Sequence, residues 1–207
     1  LCQPGDPGEE LAMKHSTQRI LTTHTGSLAR PLSLIELMLA KEQGDPYKQE
    51  KFDTAVQEAV NDVTRRQVEV GVDIICDGEQ GKTSYLTYVK ERLSGFETRE
   101  SKGGENPWLD SREVRAFPEF YEWNAKTRAG IVAPRSTTVC TGPISYIGKK
   151  AVQKDITVLR NALDGIEPHE VFISAISPAD VEGRQRNEHY ETAEEFLFAI
   201  ADAMHEE

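Results

Sequence analysis

Two short segments carry side chains that could do chemistry together. The first is His24-Thr25-Gly26-Ser27, which closes the β-branched-rich run Ile20–Thr23. The second is Asp77-Gly78-Glu79-Gln80-Gly81-Lys82, which follows the largely apolar run Val72-Asp73-Ile74-Ile75-Cys76. Glycine at position 26 lets backbone approach a ligand closely. Backbone N–H groups near Ser27, with its hydroxyl, suit a carboxylate, and Glu79 suits an ammonium group. Together they suit the head of an amino acid. Plainer readings stand beside this one. Gly26-Ser27 is also an ordinary turn, Asp77-Gly78-Glu79 a solvated loop, and His24 a hydrogen-bonded structural residue. Further polar candidates are Cys140-Thr141-Gly142-Pro143 and the trio Ser177, Asp180 and Glu182. Cys76 and Cys140 lie in apolar runs and read as buried, inert thiols.

All of these residues follow predicted strands, and in parallel α/β folds active sites lie at the C-terminal ends of strands. Pro31 opens LSLIELMLA, a short helix with proline near its first turn. Over residues 48–70 a helical stripe is formed by Phe52, Val56, Ala59, Val60, Val63, Gln67 and Val70, with Gly71 as its stop. Val72–Cys76 has the apolar character of a parallel strand buried on both faces. Thr83 or Ser84 can cap a helix running to Arg92. Residues 95–135 read as an insertion over the barrel mouth, with a small hairpin. Its aromatics, Phe96, Trp108, Phe117, Phe120, Tyr121 and Trp123, form either a substrate lid or the packing that holds the insertion down. Thr137–Thr141 is a third strand, Lys149–Leu163 a helix and Glu170–Ala175 a fourth strand. A polar loop over 177–191 leads to Thr192-Ala193-Glu194-Glu195, a capping box, with Phe196, Ile200 and Met204 on the core face beyond it.

Strands alternate with helices, so the expected sheet is parallel with right-handed crossovers. Four β/α units fit a doubly wound sheet or half of an eight-unit barrel. The chain has neither GxGxxG nor GxxxxGK[ST], which argues against nucleotide binding.

The 207 residues, 38% hydrophobic and 29% charged, describe a globular chain with a sizeable core. A net charge of -11 opposes binding to nucleic acid. No apolar run approaches the ~20 residues of a membrane helix, and the first residues lack a signal-peptide pattern. The three cysteines, Cys2, Cys76 and Cys140, are too scattered for a disulfide framework and fit a cytoplasmic setting. Residues 1–12 are rich in proline, glycine and acid without periodicity, and are expected to be a disordered extension outside the fold. Met13 opens what reads as a natural start. The last residues stop inside a helical pattern, so both ends read as those of a fragment.

Three segments carry a family resemblance: ILTTHTGSLARP (20–31), GVDIICDGEQGKTSYLTYVKERLSGF (71–96) and VCTGPISY (139–146). Their order and spacing resemble the cobalamin-independent methionine synthase-like family, in particular its single-barrel members, to which epoxyalkane:coenzyme M transferase is related. The resemblance runs from about Met13 to the end. It implies a partial TIM (β/α)8 barrel: roughly the first four β/α units over 13–207, with an insertion after the second. It further implies a methyl- or alkyltransferase acting on a small thiol such as homocysteine, with zinc and a folate methyl donor in the complete barrel. By resemblance, Gly26 and Ser27 match the loop that holds the amino acid's carboxylate, and Glu79 the acid that holds its ammonium. His24, Asp77 and Gly142 match in position, and His24 is grouped with the substrate-binding residues.

The family's zinc ligands include a His-x-Cys pair, a Glu and a distant Cys in the second half of the barrel. This chain has no His-x-Cys, so neither a metal ligand nor a catalytic residue is assigned here. The fragment alone is expected to be inactive. Half a barrel leaves its first and fourth strands as open edges and its inner face apolar. Pairing with a missing C-terminal half-barrel, or self-association, is therefore expected. Two other readings compete: a uroporphyrinogen decarboxylase-like barrel enzyme using Arg30 or Arg184 at its mouth, and a non-catalytic binding or assembly protein that has lost the zinc site.

Overall fold

The computed structural model describes residues 14–83, 85–100, 112–127 and 136–207. The expected extension over 1–12, Ser84 as a cap, and Trp108 lie outside these residues.

Helix α1 (Leu32–Gln43) begins directly after Pro31, whose ring fixes φ at -58° and whose missing N–H costs the helix nothing. It ends at Gly44, which takes the left-handed conformation at φ 72°. Helix α2 (Gln49–Glu69) buries Phe52, Val56, Ala59, Val60, Val63 and Gln67, as their period predicts. Val70 does not join this stripe: it follows the last helical residue and is 77% exposed. Helices α1 and α2 pack with α6 (Lys149–Ala162) around a core of Leu34, Met38, Val56, Val60, Leu159 and Ala162.

Strand β1 (Ile74–Cys76) is the centre of a parallel arrangement. On one side Thr23 bridges to Ile74. On the other, β4 (Glu170–Phe172) pairs with it in the register Ile74↔Glu170, Cys76↔Phe172. The run Ile20–Thr23 thus contributes one bridge rather than a full strand, and Ile20 is 83% exposed.

The third expected strand forms but pairs elsewhere. Strand β3 (Ser136–Cys140) lies antiparallel to β2 (Phe96–Glu100), with Phe96↔Cys140 and Glu100↔Ser136. It also pairs in parallel with the two-residue β5 (Arg186–Asn187). This second sheet, β2-β3-β5, is separate from β1-β4. The expectation of four consecutive parallel strands is therefore corrected to three parallel segments plus a hairpin. The cause lies at Gly95, where φ is 84° and an added Cβ would sit 2.6 Å from the Gly142 carbonyl oxygen. The bare backbone lets Thr141 and Gly142 donate their N–H groups to the Gly95 carbonyl, closing the hairpin.

Between β1 and β2 runs α3 (Tyr85–Arg92). Beyond β2 are α4 (Arg112–Ala116) and α5 (Pro118–Thr127). The insertion's aromatics divide: Phe96 packs on Phe196 at 6.3 Å between ring centres, whereas Phe117, Phe120 and Trp123 stay exposed. The segment 177–191, expected as loop, holds α7 (Pro178–Arg184) as well as β5. Ser177 accepts the Asp180 N–H and Pro178 occupies the first turn, a start signal whose helix is only seven residues long. Helix α8 (Ala193–Met204) has the predicted capping box between Thr192 and Glu195. Leu93, Cys140, Ile176, Val181, Phe196 and Ile200 form a second core beneath the hairpin and these last helices.

Candidate functional site

The two segments singled out in the sequence meet. The Ser27 hydroxyl donates to Oε2 of Glu79 at 2.5 Å. Their loops are stitched together by backbone: Leu28 N–H donates to the Gly78 carbonyl at 3.0 Å, and the buried Gln80 amide donates to the Leu28 and Gly78 carbonyls. Gly78 has φ 60°, and a Cβ there would lie 3.0 Å from the Leu28 side chain, so this crossing needs glycine. Gly26 is left-handed at φ 106° with open space beside it.

Glu79 is 3% exposed and adopts φ 56°, a conformation that costs an L-residue roughly 1–2 kcal/mol. Several bonds hold it there. Its N–H donates to Oδ1 of Asp77 at 3.0 Å. Nη2 of Arg30 donates to the carbonyls of Glu79 and Lys82, each at 2.7 Å. Burial pushes the Arg30 guanidinium below its ordinary value, while the Glu79 and Asp77 carboxylates act in the opposite sense. From beneath, the Gln67 side chain of α2 bonds both main-chain groups of Cys76, the last residue of β1 before the loop.

A third strand end enters the site that sequence reasoning missed. Ser174 donates through Oγ to Oε1 of Glu79 at 3.2 Å, and its carbonyl accepts the Lys82 ammonium. The signal was the pairing of β1 with β4. Continuing Cys76↔Phe172 by two residues sets Ser174 level with Gly78. Without that pairing, Ser174 is one polar residue in an apolar run.

The remaining candidates have other surroundings. The His24 ring bonds its own loop at the Gly26 carbonyl, 3.1 Å away, and its carbonyl accepts the Cys76 thiol. Asp77 serves the Glu79 turn. Gly142 packs on Gly95 in the hairpin. Ser177 and Asp180 cap α7, and Arg184 pairs with Asp180 across one helical turn. Cys76 and Cys140 are buried, and burial raises both thiols above their usual range. Among the described residues no three His, Cys, Asp or Glu side chains converge as a metal site. These residues therefore do not fit a zinc ion.

At the C-terminal ends of these parallel segments lie a hydroxyl, a buried carboxylate and a glycine-opened backbone, the place where parallel α/β folds carry their sites. Residues 20–164 match the model of the family described as "Cobalamin-independent synthase, Catalytic domain", and the chain belongs to that family.

The chain is 24% identical over 147 residues to a 5-methyltetrahydropteroyltriglutamate–homocysteine methyltransferase of Thermotoga petrophila, a match covering 65% of this chain and 19% of that protein. It is 37% identical over 75 residues to a methionine synthase of Sulfolobus acidocaldarius, covering 36% and 22%. Among solved structures, a B12-independent methionine synthase from Shewanella sp. W3-18-1 in complex with selenomethionine superposes with a TM-score of 0.59 at 22% identity, covering 89% of this chain and 46% of that one. A putative B12-independent methionine synthase from Listeria monocytogenes gives 0.57 at 20%, covering 91% and 48%. The matches thus span about a fifth of these curated relatives and just under half of these solved chains.

Proposed function

We propose that this chain supplies the amino-acid-binding part of a methyl- or alkyltransferase acting on a small thiol such as homocysteine. The observation that carries the reading is the Ser27–Glu79 contact at the ends of adjacent parallel segments, beside the open left-handed Gly26. A buried carboxylate accepts an α-ammonium group; a hydroxyl with free backbone beside it donates to an α-carboxylate. Membership of the cobalamin-independent synthase family supports it. So does the Shewanella relative, solved with selenomethionine, which carries the same head groups. The folate donor enters by analogy with the Thermotoga relative's name.

In a complete barrel, zinc would lower the thiol's pKa and present the thiolate as nucleophile. The described residues offer no ligand set for it. This chain's share is to bind and orient the amino-acid head. In this reading residues 13–207 are the N-terminal half of the barrel and 95–135 its insertion. His24 shapes the loop that Gly26 and Ser27 present. The setting is cytoplasmic, and a complementary half-barrel, or a second copy, covers the open sheet edges.

The test is calorimetric titration of the 207-residue chain with L-homocysteine and L-methionine. Binding is expected, and Glu79→Gln should weaken it by roughly 10- to 100-fold, the loss of a hydrogen bond to a charged group. A wild-type chain that binds neither amino acid, or a Glu79→Gln chain that binds as wild type does, overturns the reading.

A further inference from the structure

The Ser27 hydroxyl has one proton, and in the free chain it is donated to Oε2 of Glu79. If Ser27 is to donate to a ligand's carboxylate, that proton must leave Glu79. The ligand's ammonium then takes its place on Oε2. Binding is an exchange of donors, and Glu79 must hold its aim while it happens. A carboxylate that turned with the departing hydroxyl would meet the ammonium in the wrong direction.

Ser174 is placed to prevent that turn. Its hydroxyl lies 3.2 Å from Oε1, the oxygen that the exchange leaves alone. Its own carbonyl is held by Lys82, three residues beyond Glu79 on the same loop. The residue is therefore tied to the 79–82 loop at both its side chain and its main chain. It also rises from β4, which is paired in register with β1, the strand that leads into Glu79. The Glu79 carboxylate is spanned between the ends of three parallel segments, at Ser27, at its own loop and at Ser174.

We propose that Ser174 is a positioning residue of the amino-acid pocket: it fixes Oε1 of Glu79 so that Oε2 can pass from the Ser27 hydroxyl to a ligand's α-ammonium group. This rests on the reading of the Ser27–Glu79 site as an amino-acid site. It deepens that reading, because it makes discrimination depend on the ammonium group. A thiol or thioether acid without the amino group cannot complete the exchange.

Two measurements test it. In the first, wild type, Ser174→Ala and Ser174→Thr are titrated with L-methionine and with 4-(methylthio)butanoate, the same molecule without its amino group. Ser174→Ala should weaken L-methionine about tenfold, the loss of one charge-assisted hydrogen bond, and change the desamino compound by less than about threefold. Ser174→Thr, which restores the hydroxyl, should recover the affinity for L-methionine. Equal weakening of both compounds, or no weakening of L-methionine, overturns the proposal.

The second needs no ligand. The carboxyl carbon of Glu79, followed by NMR in the 13C-labelled free chain, should shift in Ser174→Ala and return towards wild type in Ser174→Thr. An unmoved signal in Ser174→Ala overturns the positioning role. A moved signal in a chain that binds no amino acid supports the contact and defeats the amino-acid reading instead.

Discussion

The side chain of Gln67 exchanges two hydrogen bonds with the main chain of Cys76: its amide donates to the Cys76 carbonyl at 2.8 Å, and its oxygen accepts the Cys76 N–H at 3.2 Å. A helix side chain thereby does the work of a neighbouring strand where β1 runs out. Both partners are buried, so leaving the two main-chain groups unpaired is expensive. Gln67→Leu should lower stability by about 2–4 kcal/mol, read as a fall in the urea midpoint at unchanged slope. A loss no larger than that of an exposed substitution such as Glu69→Leu would contradict this.

At Glu79 the left-handed backbone can be separated from the side chain. Glu79→Ala and Glu79→Gly both remove the carboxylate, but only glycine adopts φ 56° without strain. The glycine variant should be the more stable of the two by about 1 kcal/mol, whatever both lose in ligand binding. Thermal unfolding of the pair measures it, and an alanine variant at least as stable would show that the turn relaxes.

Acid should also weaken the opposite end of the strands. The Arg19 guanidinium, with the Thr22 N–H at 2.8 Å, holds the Asp73 carboxyl well below the usual carboxylate range. A group lowered on folding stabilises the native state above its unfolded value, about 3.9 for aspartate. That contribution is lost as pH falls from there towards the folded value. The stability difference between wild type and Asp73→Asn should therefore be constant from pH 7 to 5 and shrink towards pH 2. Urea midpoints across that range would show it, and a difference independent of pH would refute the assignment.

Gly95 limits the hairpin by volume as well as by conformation. A Cβ there would lie 2.6 Å from the Gly142 carbonyl oxygen and 2.7 Å from that of Pro143, both main-chain atoms. Gly95→Ala should cost about 2 kcal/mol or more, and Leu93 and Cys140 of the adjoining core should lose hydrogen-exchange protection with it. Unchanged protection would mean that the hairpin accommodates the methyl group without opening.

What the sequence made legible follows from what is local. The helix of residues 49–69 was readable because six of its positions share one period, and the capping box at Thr192 because its two partners are three residues apart. Ser27 and Glu79 were readable as a pair because each follows a strand, and parallel strands deliver their C-terminal ends to one side. Ser174 was not, since its role depends on the register between Cys76 and Phe172, which no stretch of either strand encodes by itself. The strand at 136–140 was recognised but given the wrong neighbours for the same reason. Its β-branched composition says that it pairs, and the bare backbone of Gly95 decides with what. Val70 failed differently: it has the right period and comes one residue too late.

The pairing of Glu100 with Ser136 has a consequence for how such a chain can vary. Whatever sequence joins these two residues leaves and re-enters the fold side by side, one strand spacing apart. Closing that loop is already accomplished by the hairpin, and lengthening it adds only about 0.6 kcal/mol for each doubling. Strands β2 and β3 therefore act as a socket. Segments of different length and composition can be exchanged there, over generations or by design, while the Ser27–Glu79 pair keeps its geometry.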